Sequence, residues 1–404
     1  MKGAKKSTSE EVMKGTKKSS TILSYKILKA AIPGIIAAVV WTRRQQKYAN
    51  TTFSRVSSRQ LLSPSAGSWT DGYYTTESLP NQPFQSTHAL IYPNGGLGEP
   101  ALITFKNEDE FLALGRLYND LGQIVQSPWH FVNGTALYLG PTKPGLHFQY
   151  PAVKVGYKRL LPGLFGGDGK QIELETLTEP SIDSANTDPR VFYVHNFLSA
   201  AEADEFVAFS TADENPYKMA PSTGGTHKAW NQGGAEARLT TRTSENAFDI
   251  TTQNSMTVKR RAFRLLRMGE YIENLADGIQ ILRYQLGQAY VAHHDYFPVK
   301  QSDDHSWDPT IGGSNRFATV FLYLSDVEEG GETSFPRSER LTVEKSKELV
   351  DRLGEAPPLE MQMESIRAAG LSEGSWEEKT TLACFAKFAV PPRRGDAILF
   401  YSQR

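Results

Sequence analysis

The segment YQLGQAYVAHHDYF, residues 284–297, sets His293, His294 and Asp295 side by side. Imidazole nitrogen and carboxylate oxygen are both ligands for first-row metals. The surrounding residues read as a strand, and side chains on a strand alternate faces. His293 and Asp295 then share one face, and His294 points to the other. One imidazole and one carboxylate on a rigid strand are two parts of the two-histidine, one-carboxylate triad that holds non-haem Fe(II) with positions left open. The open positions are what such chemistry needs, because a cosubstrate and O2 must both reach the ion. A His-x-Asp pair also occurs on ordinary protein surfaces, so its context has to decide.

That context is a set of strands that follows helices. RVFYVHNFL, from residue 190, is strand-like. Ser199 then caps a helix, with Glu202 completing a capping box and Leu198 just outside it. A second amphipathic helix is expected from about Val258, with Ala262, Leu265 and Leu266 inward. GIQILRY, AYVAHHDYF, FATVFLYLSDV and GDAILFYS then read as strands. Residues 337–383 are charged and helix-prone, and read as an insertion between two strands. This order predicts an α+β domain with an antiparallel sheet or barrel.

Several long segments carry a resemblance. RVFYVHNFLS, RTS at 242–244, ILRYQLGQAYVAHHDYF, GSNRFATVFLYLSDVEEGGETSFP and VPPRRGDAILFYS are similar, in this order, to the collagen- and plant-type prolyl 4-hydroxylase family of 2-oxoglutarate- and Fe(II)-dependent dioxygenases. The resemblance spans about residues 189–404. It implies a double-stranded β-helix (jelly-roll) core with flanking helices. It implies Fe(II) and 2-oxoglutarate as cofactors, L-ascorbate as reductant, and a proline-containing peptide as substrate, with succinate and CO2 released. His293 and Asp295 match its metal ligands and catalytic centre. Tyr284 and Thr333 match cosubstrate contacts, and Tyr290 and Arg316 match positions facing the peptide. A phenol such as that of Tyr284 can donate a hydrogen bond to a carboxylate.

The family's third ligand, a distal histidine, and a lysine that pairs with the cosubstrate both lie beyond the strand matching GDAILFYS. Here the sequence ends at Arg404, and its last histidine is His305. The expectation is a domain short of its final strands, with an unpaired sheet edge, and a truncated member of an otherwise active family. The alternative is a homologue without turnover that grips proline-rich peptide in the groove lined by Tyr290 and Arg316, since such chains are already extended.

The rest of the sequence bounds the setting. The net charge of −1 over 404 residues points to no nucleic-acid partner. A single cysteine, Cys384, excludes an intrachain disulfide and a cysteine-built zinc cage. Residues 1–20 form a basic tail with Lys2, Lys5, Lys6, Lys14, Lys17 and Lys18 against Glu10 and Glu11. The apolar run that follows predicts a signal anchor over 21–41, with Lys26 and Lys29 snorkelling. The lysine excess before it predicts a single-pass protein of the endoplasmic reticulum membrane with a lumenal domain. Sequons at Asn50 and Asn133 agree with that placement. Residues 42–85 and 166–188 read as linkers around a small α+β domain at 86–165. In that domain Asn107 and Glu110 open a helix whose Phe111, Leu114, Tyr118 and Leu121 share a face. The sequence sets no oligomeric state.

Overall fold

A computed structural model describes residues 35–42 (backbone only), 87–96, 98–141, 147–179, 189–222, 242–299, 308 and 315–402. Nine strands form the central sheet, in the order β10 (Ala220–Pro221), β11 (Glu245–Asp249), β12 (Ile279–Arg283), β1 (Ile35–Thr42), β13 (Arg316–Tyr323), β16 (Ala397–Tyr401), β9 (Val191–His195), β8 (Gln171–Thr176) and β7 (Lys158–Phe165). Every pairing in it is antiparallel.

Alternation sorts this sheet's side chains into two layers. Phe192, Val194, Ala318, Val320, Leu322, Ala397 and Leu399 enter one core. There they meet Ala203 and Phe206 of α2 (Ala200–Thr211), and Val258, Ala262 and Phe263 of α3 (Gln253–Leu265). The residues between them, Val191, Tyr193, Tyr323 and Ile398, enter a second core with Phe335, Phe388 and Val390. These last belong to a two-stranded sheet of β14 (Thr333–Glu339) and β15 (Lys387–Val390). Strands buried on both faces read as near-continuous apolar runs, as FATVFLYL does. The result is a mixed α/β architecture with one sheet faced by another, consistent with a jelly-roll.

The first expected helix start holds. Ser199 Oγ accepts from Glu202 N at 3.1 Å and Glu202 Oε2 accepts from Ser199 N at 2.9 Å. The second helix begins at Gln253, earlier than expected, capped by Thr252. The charged stretch after β14 carries α4 (Val343–Leu353), α5 (Leu359–Ala368) and α6 (Trp376–Ala386) before β15. Arg340 ties its ends together, donating to the carbonyls of Cys384, Phe385, Gly354 and Glu355 at 2.7–3.3 Å.

The small domain is a five-stranded sheet, β3 (Ala101–Phe105), β2 (Thr87–Tyr92), β6 (Thr135–Leu139), β4 (Leu117–Tyr118) and β5 (Ile124–Val125). Its helix, α1 (Glu108–Leu112), starts at Asn107 as expected but stops before Leu114. Gly115, at φ +92°, turns the chain, and Tyr118 joins β4 instead.

Two boundaries differ from the sequence reading. Residues 158–176, expected as a domain end and a linker, form the β7–β8 hairpin of the central sheet. The glycine-rich GGDG is its turn, and Leu161, Leu164, Ile172 and Leu174 bury into the helical core. Nor do the small sheet and the central sheet separate cleanly. Tyr150 is fully buried, and its hydroxyl donates to Leu265 O at 2.9 Å. Arg190 donates to Gly95 O at 2.7 Å, where any β-carbon at Gly95 would collide with the guanidinium.

The apolar N-terminal run also behaves differently over its second half. Ile35–Thr42 is a strand between β12 and β13, not part of a spanning helix, and residues 21–34 lie outside the described ones. Among the described residues, no helix is long and apolar enough to cross a membrane. The physical reason is that β12 and β13 present unpaired backbone edges one strand apart, and a run rich in Ile and Val satisfies both. The last described strand, β16, is not itself an edge: it lies inside the sheet, between β13 and β9, whereas the facing sheet has only β14 and β15.

Candidate metal centre

β12 leads the chain into the segment that carries the candidate ligands, and β13 lies beside it. That segment is not a strand. Its ladder contact is one isolated bridge, Tyr290 to Arg242, supported by Thr243 N donating to Ala289 O at 3.0 Å. The chain then bends, and Asn315 clips it back, accepting from Phe297 N at 3.0 Å and donating to Phe297 O at 2.9 Å. The strand expected across residues 289–297 is therefore replaced by a loop held at both ends. A strand needs a continuous neighbour for its backbone groups, and none runs alongside it among the described residues.

The expected pair forms regardless. His293 Nε2 lies 3.3 Å from Asp295 Oδ1. His293 Nδ1 lies 2.9 Å from Val291 O. A carbonyl only accepts, so Nδ1 carries the hydrogen, which leaves Nε2, the nitrogen that faces Asp295, as the one that would ligate an ion. The other carboxylate oxygen, Oδ2, accepts from Thr319 Oγ1 at 2.6 Å. Burial works against the charge of Asp295, yet the contacts from His293 and Thr319 and the nearby Arg316 hold its carboxyl below the usual range. Imidazole and carboxylate bonds to a divalent first-row ion run about 2.0–2.2 Å, so donors at this separation can share one ion. His294 is exposed and stands outside the pair.

The pair fits two ligand positions of a facial triad. Among the described residues, no three His, Cys, Asp or Glu groups converge. His195 is tied to Glu175 at 2.7 Å, and the ring of His147 packs edge-on against Phe317 at 5.3 Å. His227 and His305 lie outside the described residues.

The other expected site residues gather around β13. The ring of Tyr290, expected to face substrate, stacks on His293 at 4.0 Å. The Arg316 guanidinium lies over Phe297 at 4.7 Å and 3.9 Å from Asp277. Tyr284 packs against the core between the two sheets, and burial raises its phenol. Thr333 opens β14, and its hydroxyl accepts from Tyr323 OH at 3.0 Å. Thr319 and Tyr323 are four apart on β13 and share its face, so the metal pair and Thr333 lie along one side of the same strand, about 13 Å apart by strand rise.

Two contributors were not assigned roles from sequence. Thr319 is one; its signal is a lone hydroxyl inside the apolar run FATVFL. Arg242 is the other, a buried arginine whose Nε donates to Ser244 Oγ at 3.1 Å and whose guanidinium covers Tyr290 at 4.6 Å. It lies within RTS, a segment that carried resemblance but no role.

Comparison with known proteins agrees with this geometry. Residues 279–404 match the model of the 2OG-Fe(II) oxygenase superfamily. Probable prolyl 4-hydroxylase 7 of Arabidopsis thaliana is 29% identical over 241 residues, which are 58% of this chain and 61% of that relative. Probable prolyl 4-hydroxylase 3 of the same plant is 29% identical over 54% of this chain and 60% of its own length. Prolyl 4-hydroxylase 5, also from Arabidopsis thaliana, is 32% identical over 55% and 61%. The chain thus spans about three fifths of the length of these relatives. Residues 279–404 are thus similar to the 2OG-Fe(II) oxygenase superfamily, and a little over half of the chain is similar to prolyl 4-hydroxylases.

Proposed function

We propose that this chain hydroxylates proline within a peptide, consuming O2 and 2-oxoglutarate and releasing succinate and CO2. The observation that carries this reading is the convergence of His293 Nε2 and Asp295 Oδ1 beside β13. When bound there, Fe(II) with 2-oxoglutarate supplies the oxidising chemistry, with L-ascorbate as its reductant. The chain's own residues do the rest. Val291 O and the Tyr290 ring orient His293. Thr319 holds Asp295 ionised and aimed. Tyr284, its phenol raised by burial, stays protonated and donates to a cosubstrate carboxylate. Thr333 accepts from Tyr323, so its own proton is free to donate to the same cosubstrate. On this reading Tyr290, in the loop, and Arg316, at the start of β13, meet the peptide.

The test is succinate release matched to hydroxyproline formation in a proline-rich peptide, using the purified chain. Succinate without hydroxyproline on any proline peptide would remove the substrate class. No succinate at all would remove the activity from this chain.

The lumenal placement is part of the proposal. In its support, the Asn133 side chain is exposed and the sequon intact. A glycan lost in Asn133→Gln, read by mass after expression through the secretory pathway, tests it. Whether residues 35–42 serve the sheet or an anchor is separable by Val39→Pro. An interior strand loses a ladder bond, whereas membrane helices tolerate proline. A sharp fall in melting temperature identifies the strand, and an unchanged one identifies the anchor.

A further inference from the structure

Away from the metal pair, α3 carries the run VKRRAFR. Its basic residues divide into two kinds. Lys259 turns inward and donates to Ile250 O at 2.7 Å. Arg261 is consumed by Glu202, with contacts at 2.7 and 3.0 Å, and by Phe197 O at 2.8 Å. Arg260 and Arg264 are exposed, four residues apart on one face, and no carboxylate among the described residues lies within ion-pair distance of either. Like charges at that spacing repel, although Arg264 in the last turn suits the negative end of the helix dipole.

Across from them is the end of β7. Gly163, Leu164 and Phe165 line a groove together with Thr257, Arg260, Arg264 and the paired Arg261. Phe165 is 54% exposed, and Glu202 is already engaged by Arg261. Two unneutralised guanidiniums beside an open aromatic ring complement a ligand that pairs carboxylates with an apolar side chain.

We propose that this groove docks an acidic peptide segment of a partner protein, with its carboxylates on Arg260 and Arg264 and an apolar side chain against Phe165. The site is separate from the metal centre and does not depend on turnover. Its concavity favours a chain over a bilayer, since a flat lipid surface cannot follow the walls to Gly163. Each guanidinium fork can bind one carboxylate through both of its oxygens, a geometry that a lysine ammonium does not offer.

The test is fluorescence anisotropy with a fluorescein-labelled peptide of glutamate and phenylalanine, titrated with the whole chain. Binding is expected, weakening as salt rises. Arg260→Glu with Arg264→Glu should lower the affinity about tenfold or more, with the melting temperature unchanged because both side chains are exposed. Phe165→Ser should weaken it by a smaller factor, and a peptide with lysine replacing glutamate should not bind. Should the double variant fail to fold, Arg260→Gln with Arg264→Gln carries the same expectation. Equal affinity for the unaltered chain and either double variant overturns the proposal. So does a chain that ignores the peptide but binds vesicles of anionic phospholipid, which would make the groove a membrane contact.

Discussion

Two histidine–carboxylate pairs among the described residues are built from the same kinds of group, an arginine, a tyrosine, a histidine and a carboxylate, and they differ in how open they are to a ligand. In the first, Arg242 covers Tyr290, Tyr290 stacks on His293, and His293 meets Asp295. In the second, Arg352 covers Tyr193, Tyr193 packs on His195, and His195 meets Glu175. The difference lies in what else reaches the carboxylate. Glu175 is taken by Arg352 at 2.7 Å as well as by His195, with Lys158 at 3.9 Å, and its side chain is 1% exposed. Asp295 receives a hydroxyl from Thr319, and Arg316 acts on it only from a distance. A carboxylate already surrounded by cations has no charge left for a dication, and no path for one to enter. Asp295 keeps its charge, and His293, at 42% side-chain exposure, stands open to solvent. The first arrangement is poised for a ligand, and the second is a clamp that fastens α4 to the sheet.

The comparison breaks most decisively at the metal. His293→Ala or Asp295→Ala should lower Mn(II) affinity, measured by calorimetry as a redox-silent stand-in for Fe(II), by about 100-fold or more, while His195→Ala stays within about threefold. Equal losses would erase the distinction.

The clamp gives the reverse pattern. Arg352→Ala should cost about 2–3 kcal/mol in urea denaturation, because it leaves a buried carboxylate short of a partner, with Mn(II) affinity unchanged. Burial pushes the Glu175 carboxyl up, but His195 and Arg352 outweigh it and hold the group below its ordinary 4.5. The unfolded chain therefore takes up that proton first as pH falls. The stability from Glu175 is fully present above about pH 4.5 and drains away as pH drops through the folded value. Glu175→Gln should flatten the acid limb of the stability curve there. An unchanged limb would mean that the clamp is not charge-based.

A smaller effect sharpens the metal side. Thr319→Val, nearly isosteric, removes the donor to Asp295 Oδ2 and should weaken Mn(II) binding about tenfold. No change would show that the carboxylate is aimed without it. Smallest of all, His294→Ala should leave both metal affinity and stability unaltered, within about 0.5 kcal/mol for stability. A loss matching that of His293→Ala would exchange the roles of the two histidines.

Much of this was legible locally. The capping box at Ser199 and Glu202 and the apolar faces of α2 and α3 depend on residues within a few positions of one another. So do the strands β12, β13 and β16. The pairing of His293 with Asp295 was read from strand alternation, yet it forms in a loop, and Val291, Thr319 and Asn315 do what a ladder was expected to do. The β7–β8 hairpin was missed because its glycine-rich turn has the composition of a linker. The helix predicted to continue through Leu121 ended at Leu112 because Gly115 takes a left-handed conformation that periodicity does not register. The placement of Ile35–Thr42 was invisible: an apolar run declares that it will be buried, but not whether lipid or a sheet will bury it.

The sequence alone determined the chemistry on offer, an imidazole and a carboxylate two positions apart amid segments similar to one oxygenase family. Local spacing suffices for that, since two residues cannot be carried far from each other. Only the tertiary structure decided which histidine–carboxylate pair stays open. That outcome depends on groups brought from far along the chain: Thr319 at 24 residues from Asp295 and Arg352 at 177 from Glu175. Whether a carboxylate meets a hydroxyl or a guanidinium is settled by which strands and helices pack together, and no local pattern records it.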